Sequence, residues 1–174
     1  MPIYELNGLR PAVSSEAFVH SDAVLIGDVH IDAGCMIAPG AVLRADIGTI
    51  RIGRDTSIQD NVVIHANPGV TALIEERVIV GHGALLHDVH VHSDCVIGMG
   101  AILLFNVVCE AHAVVAAGSL VKNNTHIPAG KLAAGNPAVV IRDVSEEQRL
   151  AARMGAEFYV ELGQRYRSDM KRIA

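Results

Sequence analysis

Residues 91–138 read VHSDCV IGMGAI LLFNVV CEAHAV VAAGSL VKNNTH IPAGKL AAGNPA when cut into sixes. The leading residues are Val91, Ile97, Leu103, Cys109, Val115, Val121, Ile127 and Ala133, all apolar. The fifth residues are mostly small: Cys95, Ala101, Val107, Ala113, Ser119 and Thr125. Only Lys131 and Pro137, at the end, leave that pattern. A period of six fits neither a 3.6-residue helix nor the two-residue alternation of a simple strand. It fits a coil of three short strands, each followed by a tight turn. One coil then takes about 18 residues, and successive coils stack as parallel strands about 4.8 Å apart. The leading residue points inward, the small fifth residue fits the corner, and Gly and Asp-type residues supply the turns.

The same phase runs back toward the N-terminus. Val19, Leu25, Ile31, Ile37 and Leu43 lead one set of sixes. After a three-residue slip at Asp46–Thr49, Ile52, Ile58 and Ile64 lead another. The stretch HANPGVTALI interrupts, and the phase resumes at Ile74, Val80 and Leu86, with one five-residue unit before Val91. The whole chain, residues 1–174, reads as a single all-β solenoid domain, with a parallel β-helix over residues 12–140. The charged tail, 145–172, is helix-forming, with one helix expected from about 146 to 170. Ser145 and Gln148 have capping-box spacing there. Leu150, Met154, Phe158 and Leu162 form a stripe spaced by four, expected to pack along a β-helix face of this chain or of a neighbour.

Composition agrees. Of the 174 residues 51% are apolar but only 3% aromatic, and Trp is absent, so the core is built of narrow aliphatic layers. The net charge is −5 with no basic tract, which argues against nucleic acid as a partner. No run reaches the roughly 18 apolar residues of a membrane span, and the N-terminus lacks the pattern of a secretory signal. Three cysteines without CxxC spacing fit a reducing, cytoplasmic setting. All three fall at inward positions, where Cys acts as a small hydrophobe.

The repeat also assigns the nine histidines to faces. With the unit led by Val80 as face one, Leu86 is face two and Val91 face three. Counting back puts Leu43 and Ile64 on face two. The second residue of each unit points outward, so Arg44, His65 and His87 form one outward ladder. Imidazoles on neighbouring rungs can converge on one ion with Zn–N bonds of about 2.0–2.1 Å. His82 is the third residue of a face-one unit, with Asp60 on the rung below and Gln59 beside it. In a threefold head-to-tail ring, face one of one subunit meets face two of the next. His65 and His87 of one chain would then meet His82 of its neighbour, giving three imidazoles and an open position, the pattern of a catalytic zinc. Gln59, Asp60, Arg44 and Asp46 supply a polar surround. His20, His30, His90, His92, His112 and His126 lie off this ladder and read as solvated or locally hydrogen-bonded side chains.

The segments LRADIG, IQDNVVIHA and VGHGALLHD, with GNPAVVIR before a terminal helix, resemble the signatures of the γ-class carbonic anhydrases and their hexapeptide-repeat relatives. The opening MPIYELNGLRP and the tail are similar to the phenylacetic acid degradation and carnitine-operon proteins of that family. The resemblance implies a left-handed parallel β-helix, a homotrimer, and zinc at the interface, sometimes replaced by iron or cobalt (Fe2+, Co2+). It carries the three ligand motifs onto His65, His82 and His87. It makes Arg44 and Asp46 the arginine and aspartate near the metal, Gln59 the residue that orients the attacking hydroxide, and Asp60 the arginine's ionic partner across the interface. The implied reaction is hydration of CO2 to bicarbonate. The chain departs from active members at Ile47, where they carry a glutamate, and in the short loop ANPGVTALIEER, where theirs is acidic; both departures imply low activity. Glu75 and Glu76 are the carboxylates left for a proton relay. One competing reading is a hexapeptide acyltransferase or CoA-thioesterase with one essential histidine and no metal. Another is an accessory or scaffold trimer of a catabolic operon for aromatic compounds or carnitine, with a relic metal site.

Overall fold

The structure, a computed structural model, describes residues 2–173. Met1 and Ala174, the ends of the expected single domain, lie outside them. The six-residue reading meets its first test in burial. Every leading residue from Leu25 to Ala133 is at most 2% exposed, while Val19, in the first coil, is half-buried. The buried cluster these residues form contains only Ala, Val, Leu, Ile and Cys, so the interior is a stack of aliphatic layers without a ring.

Turn chemistry explains why the chain coils rather than runs on. The fourth residue of most units takes the left-handed conformation. Among these fourth residues, Asp55, Asn61, Arg77, Asp94, Asn106, His112 and Asn124 have φ between 55° and 63°, and Gly83, Gly100, Gly118 and Gly130 have φ of 64–69°. Asn, Asp and Gly adopt this region at least cost. Arg77 does not, and it is held by ion pairs with Asp94 at 2.8 Å and Glu76 at 2.7 Å.

The strands pair as the phase requires. Face one is an eight-stranded sheet running from Phe18–Val19 to Lys131–Gly135, parallel throughout until the antiparallel closing strand Ala138–Asp143. Faces two and three belong to one twelve-stranded parallel sheet, because strands Val24–Ile31 and Val42–Ile52 run through a corner without breaking. The slip at residues 46–49 is absorbed in that long strand, and the register between the two strands shifts between Gly27 and Val29. Gly27 is required there. A Cβ on it would lie 2.2 Å from the Ala45 carbonyl oxygen, and its φ is 76°.

The C-terminal helix, α1, spans Glu146–Asp169. Its first turn is closed by Ser145 Oγ, which accepts from the Gln148 amide, while Gln148 Oε1 accepts from the Ser145 amide. The helix lies on face one, against the strands at 18–19, 36–37, 57–58 and 79–80. It does not use the expected stripe to do so, since Leu150, Met154 and Phe158 are exposed. The face in contact is smaller, with Ala156 and Gly163 buried and the Tyr166 ring 5.3 Å from Phe18. A Cβ at Gly163 would make ordinary contact with Met36 and Phe18 at 3.5 Å, and one at Gly155 would meet the end of the Ile79 side chain at 2.9 Å.

Candidate metal centre

Arg44, His65 and His87 occupy consecutive rungs in direct register on face two, as the count of second residues requires. Facing ring nitrogens, His65 Nδ1 and His87 Nε2, are 2.8 Å apart, with the ring planes at 80°. The other nitrogen of His65 lies 2.9 Å from Asp46 Oδ1, and Arg44 donates to Asp46 Oδ2 at 2.6 Å. Burial pushes the Asp46 carboxyl up, but the hydrogen bonds from His65 and Arg44 outweigh it and hold the group below its ordinary range. The His87 ring packs edge-on to Phe105, centroids 4.5 Å apart. Its Nδ1 is 3.3 Å from Asp88 Oδ2 but outside hydrogen-bond geometry, which leaves it buried without a hydrogen-bond partner among the described residues. Asp88 is instead occupied by the Asn67 amide and side chain, both at 2.6 Å.

His82 sits in the turn between strands Ile79–Val80 and Leu85–His87. Its Nδ1 is 2.6 Å from Asp60 Oδ2, and its backbone N–H donates to Gln59 Oε1 at 3.2 Å. Gln59 is buried and keeps its NH2 group for another acceptor. One chain therefore assembles Arg44, Asp46, His65 and His87 as one group, and Gln59, Asp60 and His82 as a second.

The donor chemistry suits a divalent transition metal. Neutral imidazole is a common zinc ligand, and metal-binding histidines characteristically bond a carboxylate or carbonyl through their second nitrogen. Asp46 on His65 and Asp60 on His82 have that relation. The 2.8 Å between His65 and His87 is a few tenths short of the roughly 3.3 Å between donors of a tetrahedral zinc with bonds of about 2.05 Å.

A three-donor group that counting on face two did not find lies on face three, where Glu75, His90 and His92 bring donor atoms within 4.8 Å of one another. The signal was present. Glu75 and His92 are second residues of the units led by Ile74 and Val91, the same outward position that exposed the first ladder. The three cysteines are free and buried, with burial pushing the Cys35 and Cys95 thiols up to about 12. No helix among the described residues is long and apolar enough to cross a membrane.

The fold is shared with solved structures. One is a hexapeptide transferase family protein from Anaplasma phagocytophilum, 36% identical, with a TM-score of 0.91 over 95% of this chain and 98% of that one. The chain is thus a hexapeptide-repeat β-helix protein. No protein-family model matches it. Among curated proteins it is 42% identical to the mitochondrial γ carbonic anhydrase 2 of Arabidopsis thaliana over 91% of its own length, and spans 59% of that relative. It is 34% identical to the carnitine operon protein CaiE of Proteus sp. (strain LE138), over 98% of this chain and 86% of that protein. The chain belongs to the γ-carbonic anhydrase-like hexapeptide-repeat family.

Proposed function

We propose that this protein is a γ-type, zinc-dependent carbonic anhydrase of low turnover, acting in the cytoplasm, which hydrates CO2 reversibly at a metal site between subunits of a homotrimer. The observation that carries this reading is the in-register pair His65–His87, with Asp46 fixing the tautomer of His65. His82, fixed in the same way by Asp60, is the third ligand, contributed by the neighbouring chain. The face that carries the pair also carries an outward apolar ladder, Val42, Val63, Leu85, Ile102 and Leu120, all in register. Val63 and Leu85 are 37% and 43% exposed, a surface suited to burial against a second copy. Iron or cobalt would fit the same donors as zinc.

When bound, such an ion supplies a nucleophile at neutral pH by acidifying water toward a pKa near 7. The chain's own groups do the rest. Asp46 and Asp60 hold two imidazoles in the tautomer that presents a lone pair. Gln59, anchored through its carbonyl to the His82 amide, keeps an N–H donor to align the attacking oxygen. Arg44, 43% exposed, offers a guanidinium edge to the bicarbonate product. Ile47, half-exposed beside Asp46, leaves no carboxylate at that position to carry the proton away, which accounts for low turnover.

The test combines zinc content, molar mass and CO2 hydration on the purified chain. Expected are a trimer, interfacial zinc, and hydration that His82→Ala abolishes. A zinc-loaded trimer no faster than a metal-free control would end the enzyme reading. The likeness to a hexapeptide transferase family protein keeps acyl transfer as the second reading. It requires turnover of a CoA ester by metal-free protein.

A further inference from the structure

We infer that Glu75, His90 and His92 form a second divalent transition-metal site, on face three and complete within one chain. His90 and His92 flank Val91 with the two-residue spacing that puts alternate side chains on one side of a strand. Glu75 enters from the adjacent rung, where Ile74 pairs with Val91. His90 lies in a strand, and Glu75 and His92 directly follow strand ends, their amides donating to the Val91 and Cys109 carbonyls of the adjacent rungs at 2.9 and 2.8 Å.

The donors converge on one oxygen. His90 Nε2 lies 2.8 Å and His92 Nδ1 3.0 Å from Glu75 Oε1, and the two rings stack at 3.9 Å. In a tetrahedral zinc site with bonds of about 2.05 Å, donors stand roughly 3.3 Å apart, so an opening of a few tenths of an ångström admits the ion. The surround is that of a ligand set. Ser93 donates to Glu75 Oε2 through both its amide and its hydroxyl, each at 3.0 Å, which leaves Oε1 to the imidazoles. The second nitrogen of His92 is 3.8 Å from Glu110 Oε2, and Glu110 is itself held by His126 at 2.8 Å. Carboxylates behind ligand histidines raise ligand basicity and fix ring orientation. All three donors are partly exposed, so the site is open to an entering ion. Two histidines and one glutamate leave a fourth position free, as in hydrolytic zinc sites.

The test is equilibrium dialysis of the metal-free full-length chain against zinc, with bound zinc counted per chain. The His65/His82/His87 reading and this one each contribute one ion, so the wild type binds two. His90→Gln with His92→Gln lowers the count by one and leaves the trimer and its CO2 hydration unchanged. Glu75→Gln, a milder change, lowers zinc affinity by about 10–100-fold at one site only. The His65→Ala/His87→Ala variant keeps one zinc, which separates this site from the interfacial one even if that reading fails. His126→Gln, outside the donor set, keeps the wild-type count. An unchanged count in the His90/His92 variant, or loss of all zinc in the His65/His87 variant, overturns the inference.

Discussion

Asp60 carries its effect through one contact, the 2.6 Å approach to His82 Nδ1 at an exposed turn. Asp60→Asn is therefore expected to weaken interfacial zinc by about 10–100-fold while leaving the melting of metal-free protein within about 0.5 kcal/mol. A competition titration with a chelator reads the first and a thermal melt the second. Asp28 works at the same scale but on stability. Thr49 Oγ1 donates to Oδ2 at 2.7 Å and His30 lies 2.8 Å from Oδ1, which together hold its carboxyl below the ordinary 3.8 despite partial burial. A depressed carboxylate contributes stability that is complete above its unfolded value and is lost as pH falls through the lower folded one. The stability gap between wild type and Asp28→Asn should accordingly be full at neutral pH and close as pH drops below about 4. Melts run across that range measure it. A gap that stays constant would assign the role of Asp28 to packing.

At the level of the element, inward and outward positions of one strand differ sharply. Ile64 is fully buried in strand Val63–His65, and its neighbour Val63 is exposed. Ile64→Ala should cost about 2–5 kcal/mol in a denaturant melt, because the aliphatic stack around it cannot collapse into the cavity. The helix cap offers a smaller effect. Ser145→Ala removes the acceptor for the Gln148 amide and should cost about 1 kcal/mol. Legibility also divides here. The strands were readable because inward Ile, Val and Leu recur every six residues, and the turns because Gly, Asn and Asp recur at the left-handed position. The helix was readable in extent and cap; of the two faces expected for its stripe, this chain's own is the one that the stripe does not cover. Periodicity favoured Leu150, Met154 and Phe158, whereas contact with face one buries Ala156 and Gly163.

For the whole molecule, the proposed function ties metal binding to association through the apolar ladder beside His65 and His87. Val63→Glu with Leu85→Glu puts two carboxylates on adjacent rungs of the proposed interface. Expected are a folded monomer by light scattering and loss of interfacial zinc, with the face-three site retained. A monomer that still held both ions would separate metal binding from assembly.

The order of the residues alone determined the coil, its three faces and the shared ladder of Arg44, His65 and His87, because a period of six, resumed after each slip, turns the leading residues inward and the second residues outward. Tertiary structure decided what the period is blind to. It set side-chain reach, which brought Glu75, His90 and His92 to one point and fixed His82 on Asp60. It also set the helix face, which buries Ala156 and Gly163 while Leu150, Met154 and Phe158 stay exposed. Periodicity records which way a side chain points; only packed neighbours decide what it touches.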